Sequence, residues 1–298
     1  MDTTRNRTGL GRVVVGVDGS PSARAALTWA AREAVLRGSG LCVVHATDTS
    51  ALYLSEAEGD RIQRAGLELL DTAAATVAAL HPELTVVTEL DTGTAPRALR
   101  AAAALSGTIV VGHRGLGGFS SLLLGSVGLE LAAGATTPVV VVREAAEPPE
   151  AGAVLAAVRD ADDLGCARAA AREALLRKVP LRLLHVWGTI PAGGVRALLP
   201  GGPEEAAHAH VRALSEVTER LREEFPELAL DADGERDHSV AGALVEASRH
   251  ADLLVTGGRR APGYLGPTLG RTTLGLLQHA HCPVQLIPRQ GAGHGSTA

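Results

Sequence analysis

Ala30-Ala31-Arg32-Glu33-Ala34-Val35-Leu36-Arg37 returns further along the chain as Ala170-Ala171-Arg172-Glu173-Ala174-Leu175-Leu176-Arg177. Both stretches lead into an apolar run that ends in histidine, Leu41 to His45 and Leu181 to His185. Thr108-Ile109-Val110-Val111-Gly112 is answered by Leu253-Leu254-Val255-Thr256-Gly257. Pro138-Val139-Val140-Val141-Val142-Arg143 is answered by Pro283-Val284-Gln285-Leu286-Ile287-Pro288. Matched segments in the same order signify a duplication, and their slightly unequal spacing implies loop insertions.

Within each copy, short apolar runs alternate with helical patterns. In the first, Val13 to Val17 reads as a strand, and Ser20-Pro21 as an N-cap followed by proline at the first helical position. A helix over Ala23 to Arg37 leads to a strand over Leu41 to His45. A helix from about Asp60 to Leu80 precedes a strand over Leu84 to Leu90. A helix from Ala95 to Leu105 leads to a strand at Thr108 to Val111, and a helix from Ser126 to Ala133 to a strand at Pro138 to Val142. Such alternation gives a parallel sheet with helices on both faces. The expected fold class is α/β: two tandem doubly wound, Rossmann-like domains, each a five-stranded parallel sheet flanked by helices. Their expected limits are residues 10–144 and 152–289, joined by the acidic, proline-containing stretch Glu144 to Gly152. Gln290 to Ala298 reads as a tail.

Composition supports this and excludes several functions. The chain has 298 residues, 46% of them hydrophobic, which suits two packed domains. Aromatic residues are 2% of the chain, too few for base-stacking surfaces along single-stranded nucleic acid. A net charge of −5 with acids and bases interspersed does not point to a polyanion partner. Lys178 is the single lysine beside many arginines, a bias expected of GC-rich codon usage. Cys42, Cys166 and Cys282 are far apart and odd in number, which argues for a reducing compartment. Met1 to Arg12 lacks the apolar core of a signal peptide, and charged residues interrupt every apolar run before it reaches membrane-spanning length. The expectation is a cytoplasmic protein with no membrane and no nucleic-acid partner.

Two segments carry candidate chemistry: Val17-Asp18-Gly19-Ser20 after the first strand, and the loop after the fourth. In open α/β sheets, ligands sit beyond the carboxyl ends of the strands where strand order reverses. The second loop reads Gly112-His113-Arg114-Gly115, then nine residues, then Gly125-Ser126-Val127. Gly112 and Gly115 can take positive φ and admit an anion to backbone N–H groups. Gly125-Ser126 opens the next helix, whose N-terminus favours negative charge. That is a phosphate cradle. It is not a Walker A loop, since no Gly-Lys-Ser/Thr occurs. The same glycines are equally served by plain turns, with Ser126 as an N-cap.

Taken together, the Val-x-Val-Asp-Gly-Ser first strand, the Gly-x2-Gly-x9-Gly-Ser loop and the closing Thr-Pro-Val-Val-Val-Val resemble the universal stress protein family, over nearly all of both copies. The resemblance implies ATP, with Mg2+ as a companion, held between the ends of strands one and four of an adenine nucleotide alpha hydrolase-like fold. It places Asp18 at the adenosine half and Ala46 near the base. Gly112, Gly115, Gly125, Ser126 and Val127 would hold ribose and phosphates, and Val17, Gly19, Ser20, Val111 and Arg114 complete the expected binding set. It also implies pairing of the two copies through their last strands as a pseudo-dimer, with further homodimerisation and a protein partner. The role implied is a stress or dormancy sensor or adaptor, not a catalyst. Alternatives are a scaffold without nucleotide, and a slow ATPase using Asp18 as general base.

The second copy departs from the motif. Arg260 stands where the first copy has Gly115 and Arg271 where it has Ser126, while Gly257, Gly263 and Gly270 remain. The Asp18 position falls on Arg159 or Asp160, depending on the placement of a gap. Two readings follow: a decayed site kept for its fold, or a different anion site using Arg259, Arg260 and Arg271. His208 with His210, and His279, His281 and Cys282, lack zinc-like spacing. His45 and His185 are expected to bond loop backbone.

Overall fold

Val13, Val14 and Val15 are fully buried, as are Val110 and Val140 and their neighbours in adjacent apolar runs. Runs without polar alternation are covered on both faces, the condition of strands in a parallel sheet under helices. The computed structural model describes residues 11–49, 55–103, 107–116, 124–143, 152–188, 202–258 and 269–288. The chain divides into two units, Met1–Ala146 and Glu147–Ala298. The tail from Gln290, and the linker apart from Gly152, lie outside the described residues.

Unit 1 runs β1 (Val13–Gly16), α1 (Pro21–Arg37), β2 (Leu41–Ala46), α2 (Glu56–Leu80), β3 (Val86–Asp91), α3 (Ala95–Ala103), β4 (Thr108–Gly112), α4 (Ser126–Ala133) and β5 (Val139–Val142). Its strand order is β3-β2-β1-β4-β5, and the strands pair in parallel. The chain starts in the middle of the sheet, builds outward to β3, then returns to lay β4 on the other side of β1. Strand order reverses between β1 and β4, so the loops after them part and leave a crevice.

Unit 2 repeats the plan. Its elements are β6 (Val154–Ala157), α5 (Leu164–Arg177), β7 (Leu181–Gly188), α6 (Gly202–Glu224), β8 (Leu230–Asp237), α7 (Val240–Ala247), β9 (Leu253–Gly257), α8 (Arg271–His279) and β10 (Val284–Ile287). The order is β10-β9-β6-β7-β8, again parallel. The expected fold class holds in both units.

Local sequence explains where the elements begin and end. Ser20 caps α1 by accepting from the Ala23 N–H at 3.1 Å, and Pro21 opens the helix. Gly38, at φ 61°, closes it in the left-handed region. Unit 2 closes α5 with Lys178 at φ 57°, a conformation costlier for a residue with a Cβ. The helix expected from Asp60 begins instead at Glu56. Ser55 and Glu58 form a capping box there, with the Ser55 N–H donating to the Glu58 carboxylate at 3.0 Å.

The first helix of each unit carries a buried charge pair. Arg37 donates to Glu33 at 2.7 Å and to the Thr108 hydroxyl on β4 at 2.8 Å. Their side chains are 1% and 3% exposed. In unit 2 Arg177 donates to Glu173, which also accepts from the Gln285 amide on β10 at 3.1 Å.

Removing one member of such a pair leaves the other buried without its partner. Arg37→Ala is expected to destabilise unit 1 by about 3–5 kcal/mol, whereas replacing Glu33 and Arg37 together by Leu and Met costs far less. Urea unfolding followed by Trp29 fluorescence in a Trp187→Phe background measures both. Equal losses for the single and the double variant would refute the pairing.

Burial pushes the Cys42 and Cys282 thiols up to about 12. An unfolded thiol titrates near ~8.5, so the folded state holds these protons longer. Their contribution to stability is complete below that value and declines as pH rises from it toward 12. Urea midpoints are expected to fall between pH 8.5 and 10 by more in wild type than in Cys42→Ala/Cys282→Ala.

Candidate functional site

The crevice above β1 and β4 is a cleft of about 760 Å3. Of the expected binding set, Val17, Asp18, Ala46, Val111, Gly112, Arg114, Gly115, Gly125, Ser126 and Val127 line it. Gly19 and Ser20 do not. Gly19 makes the turn at φ 84°, and the Ser20 hydroxyl is occupied by the cap of α1. Residues 117–123 of the loop lie outside the described residues.

The glycines are required for a different reason from the one the spacing suggests. Neither Gly112 nor Gly115 has positive φ; they are needed for close approach. A Cβ on Gly112 would stand 2.6 Å from the Ser22 carbonyl carbon and hydroxyl. A Cβ on Gly115 would stand 2.5 Å from a carboxylate oxygen of Asp18. The first turn of α1 and the Asp18 side chain fill the space.

Asp18 joins the two loops. One carboxylate oxygen accepts from the Ser20 N–H at 2.9 Å, an Asx turn. The other accepts from the Leu116 N–H at 3.0 Å, holding the β4 loop over the end of β1. Each oxygen keeps a further lone pair for a ligand. Ser22, buried on α1, extends the junction. Its hydroxyl accepts from the Arg114 N–H at 3.2 Å and pairs with His113 Nδ1 at 2.8 Å. The far end of the loop returns here, since the Gly125 N–H donates to the His113 carbonyl at 2.8 Å. Ser22 and His113 were not singled out from the sequence: Ser22 lies within the first helix, and His113 fills an unspecified position between the two glycines of the loop motif.

Gly125, not Ser126, is the N-cap of α4, and no side chain caps the helix. The alternative in which Ser126 serves as the cap is therefore excluded. The leading N–H groups of α4, at Ser126, Val127 and Gly128, have no intrahelical partners and stand at the cleft wall. Positive potential gathers at this end. Arg114 lines the cleft, and Arg143 follows β5 close by, its guanidinium held below the usual arginine range by burial and then by the Arg114 charge.

The opposite end is apolar: Val44 and Ala46 on β2, with Ala95 and Leu99 on α3. His45 also lines it, and its Nδ1 donates to the Val17 carbonyl at 2.8 Å. His185 makes the same bond to Val158 at 2.7 Å, so both histidines bond loop backbone as expected. The cleft therefore has one end lined by backbone N–H groups and Arg114, and one lined by apolar side chains. That division suits a ligand with an anionic and an aromatic half.

Unit 2 differs at each of these points. The Val158 N–H donates to Leu184 as that of Val17 donates to Val44, so Arg159 is the residue at the Asp18 position. Its guanidinium is bidentate to Asp163, at 2.7 and 2.8 Å. That bond raises the Arg159 pKa above its usual value. Asp163 is 2% exposed and stands 2.9 Å from where a Cβ on Gly257 would be. An ion pair thus occupies the ground that Asp18 and Ser22 hold in unit 1. Arg271 heads α8 behind its N-cap Gly270, while Arg259, Arg260 and Gly263 lie outside the described residues. No cluster of His, Cys, Asp or Glu among the described residues could hold a metal ion, and no described helix is long and apolar enough to cross a membrane.

Comparison with known proteins agrees with this architecture. The universal stress protein family model matches residues 9–143 and again 152–288. A universal stress protein of Mycolicibacterium smegmatis is 30% identical over 292 residues, covering 92% of this chain and 96% of its own. Universal stress protein Rv2623 of Mycobacterium tuberculosis is 32% identical over 285 residues, covering 91% and 94%. The crystal structure of a universal stress protein from Archaeoglobus fulgidus superposes with a TM-score of 0.70 at 18% identity, covering 95% of this chain and 100% of its own. The chain is a member of the universal stress protein family, with two such domains in tandem.

The close approach at Gly112 can be tested against a permissive neighbour. Gly112→Ala drives a methyl into the Ser22 backbone and is expected to destabilise unit 1 by about 1–3 kcal/mol. Gly128→Ala meets the flexible end of Leu124 at 3.2 Å and Val111 at an ordinary 3.9 Å, and lies within α4, so its effect is expected to be small. Similar denaturation midpoints for the two variants would contradict the packing described.

Proposed function

We propose that unit 1 binds ATP in the cleft between β1 and β4, and that the protein is a cytoplasmic stress-response sensor or adaptor rather than a catalyst. One observation carries the reading. The uncapped N-terminus of α4 faces the cleft beside a glycine loop clipped to Asp18, while the far wall is apolar. N–H groups at the head of α4, with Arg114, would take the phosphates, and β2 with α3 would take the base. Mg2+ would arrive with the phosphates, which supply most of its ligands. Asp18 is engaged by two backbone N–H groups, and as a tether it would couple nucleotide occupancy to the order of the β4 loop. A partner reading that loop would sense occupancy. Unit 2, with Arg159 locked to Asp163 where unit 1 keeps its loop junction, serves in this reading as a retained fold without nucleotide.

Calorimetric titration of ATP with magnesium tests the proposal. Wild type is expected to bind one ATP per chain. Gly115→Arg imports the second unit's residue onto the Asp18 carboxylate, and is expected to weaken binding about a hundredfold or more, roughly 2.7 kcal/mol. Circular dichroism establishes that the variant remains folded. No heat with wild type would remove the proposal and leave a paired-domain scaffold; two sites per chain would overturn the assignment of unit 2.

A further inference from the structure

We infer that His185 and His210 form an acid-opened latch between β7 and α6 in unit 2. The latch is independent of nucleotide binding by unit 1.

His185 Nδ1 lies 2.7 Å from the Val158 carbonyl, which only accepts, so Nδ1 carries a proton. Its Nε2 lies 2.9 Å from His210 Nδ1, a separation with room for one hydrogen. With both rings neutral, His210 donates that hydrogen and His185 accepts it. One added proton leaves the bond in place, because one ring still donates and the other still accepts. A second puts an N–H on each side of the gap and sets two positive rings against each other. The closed pair therefore holds one added proton and not two.

The clash has no relief in place. His185 is 3% exposed, and its bond to Val158 fixes it to the end of the sheet. His210 is the ring that must leave, breaking its stack with Trp187, whose ring lies 5.1 Å away. Leu214, Val217 and Leu221 are buried further along α6 and keep the rest of the helix seated.

Surrounding charges bias the first proton without making room for the second. On α6, the turns next to His210 place Ala207, Ala213 and Leu214 beside it, while Glu205, His208 and Arg212 are exposed. On β7, Leu183 and Trp187 flank His185 on the same face. On β8, Gly234 stands beside His185 and Arg236 beside Trp187, with Asp233 and Glu235 alternating to the other face. The turn Ala161–Asp163 packs against α6 and brings Asp160 and Asp162, which favour a first proton; Asp163 is engaged by Arg159. Arg168 and Arg172 of α5 attend Glu224, about four turns further along α6. Unit 1 has no such pair. His45 makes the matching bond to Val17, but its ring edge meets α2 at Gly66, where a Cβ would stand 3.2 Å from Cδ2.

The direction of the pH effect follows from counting protons. With the latch open, each imidazole takes up its own proton below the ordinary value of ~6.5. The closed form takes up one. The open form thus binds more protons, and opening gains about tenfold per pH unit as pH falls below that value.

Hydrogen exchange of the full chain, from about pH 7.5 to about pH 5 and expressed as protection factors, tests the latch in wild type and in His210→Gln. A glutamine amide donates to a neutral His185 and accepts from a charged one, so the contact survives without a second titrating group. Wild type is expected to lose protection across residues 208–213 of α6 by about tenfold per pH unit below ~6.5, while Leu254, Val255 and Thr256 of β9 keep theirs. His210→Gln is expected to hold its protection across the range. Unchanged protection in wild type, or the same loss in both proteins, would overturn the inference. Should His210→Gln fold poorly, imidazole 15N shifts of wild type decide. The two rings must then protonate in separate steps, with protection lost only at the second. Protonation of both in one step, or loss of protection at the first, overturns the latch.

Discussion

The site depends on how closely the first turn of α1 is seated against the end of β4. Gly112 has no room for a side chain because Ser22 occupies it, and the Ser22 hydroxyl then engages His113 and the Arg114 N–H. The loop after β4 is thereby anchored at its root, and the bond from Gly125 to the His113 carbonyl returns its far end to the same point. Between those anchors Asp18 holds the Leu116 N–H. With residues 113–116 held to α1 and Asp18, and Gly125 bonded back to His113, the head of α4 is presented at one place. Pre-organisation of that kind lowers the ordering cost of a ligand.

The buried Glu–Arg pair on the first helix serves the same geometry from below. Arg37 reaches from the last turn of α1 to Thr108 at the start of β4. One helix is thus tied to one strand at both ends, by Ser22 near the carboxyl end and by Arg37 near the amino end. Taking two charges out of water is costly, so such a pair is weak evidence for stability but good evidence for register. Unit 2 keeps the helical pair and moves its third member, from Thr108 on β4 to Gln285 on β10. The motif is retained while its anchor on the sheet differs.

Much of this was legible in the sequence. The repeat revealed two α/β units, and unbroken valine runs marked strands buried on both faces. The loop motifs named most of the residues that line the cleft. What escaped reading was tertiary. Glycine spacing suggested positive φ, but the constraint at Gly112 and Gly115 is the proximity of residues nearly a hundred positions earlier, which no local pattern encodes. Serine is a common cap, but here the helix begins at Ser126, as its expected bounds have it, and Gly125 holds the cap position. The start of α2 was readable from Ser55 and Glu58 and was missed for want of an apolar period there.

Comparing the units shows how little change is needed to alter a cleft while keeping its fold. Strand order, the first helix and the histidine in the second strand are common to both. At the loop junction, the Asp18 position becomes Arg159, and Asp163 stands against Gly257 where Ser22 stands against Gly112. Each partner there would be unfavourable without the other: Asp163 is almost wholly buried, and Arg159 would face the end of the sheet alone. Together they neutralise one another and leave the junction closed. Beneath the second strand of unit 2, the His185 ring meets a second histidine, His210 on α6, at 2.9 Å.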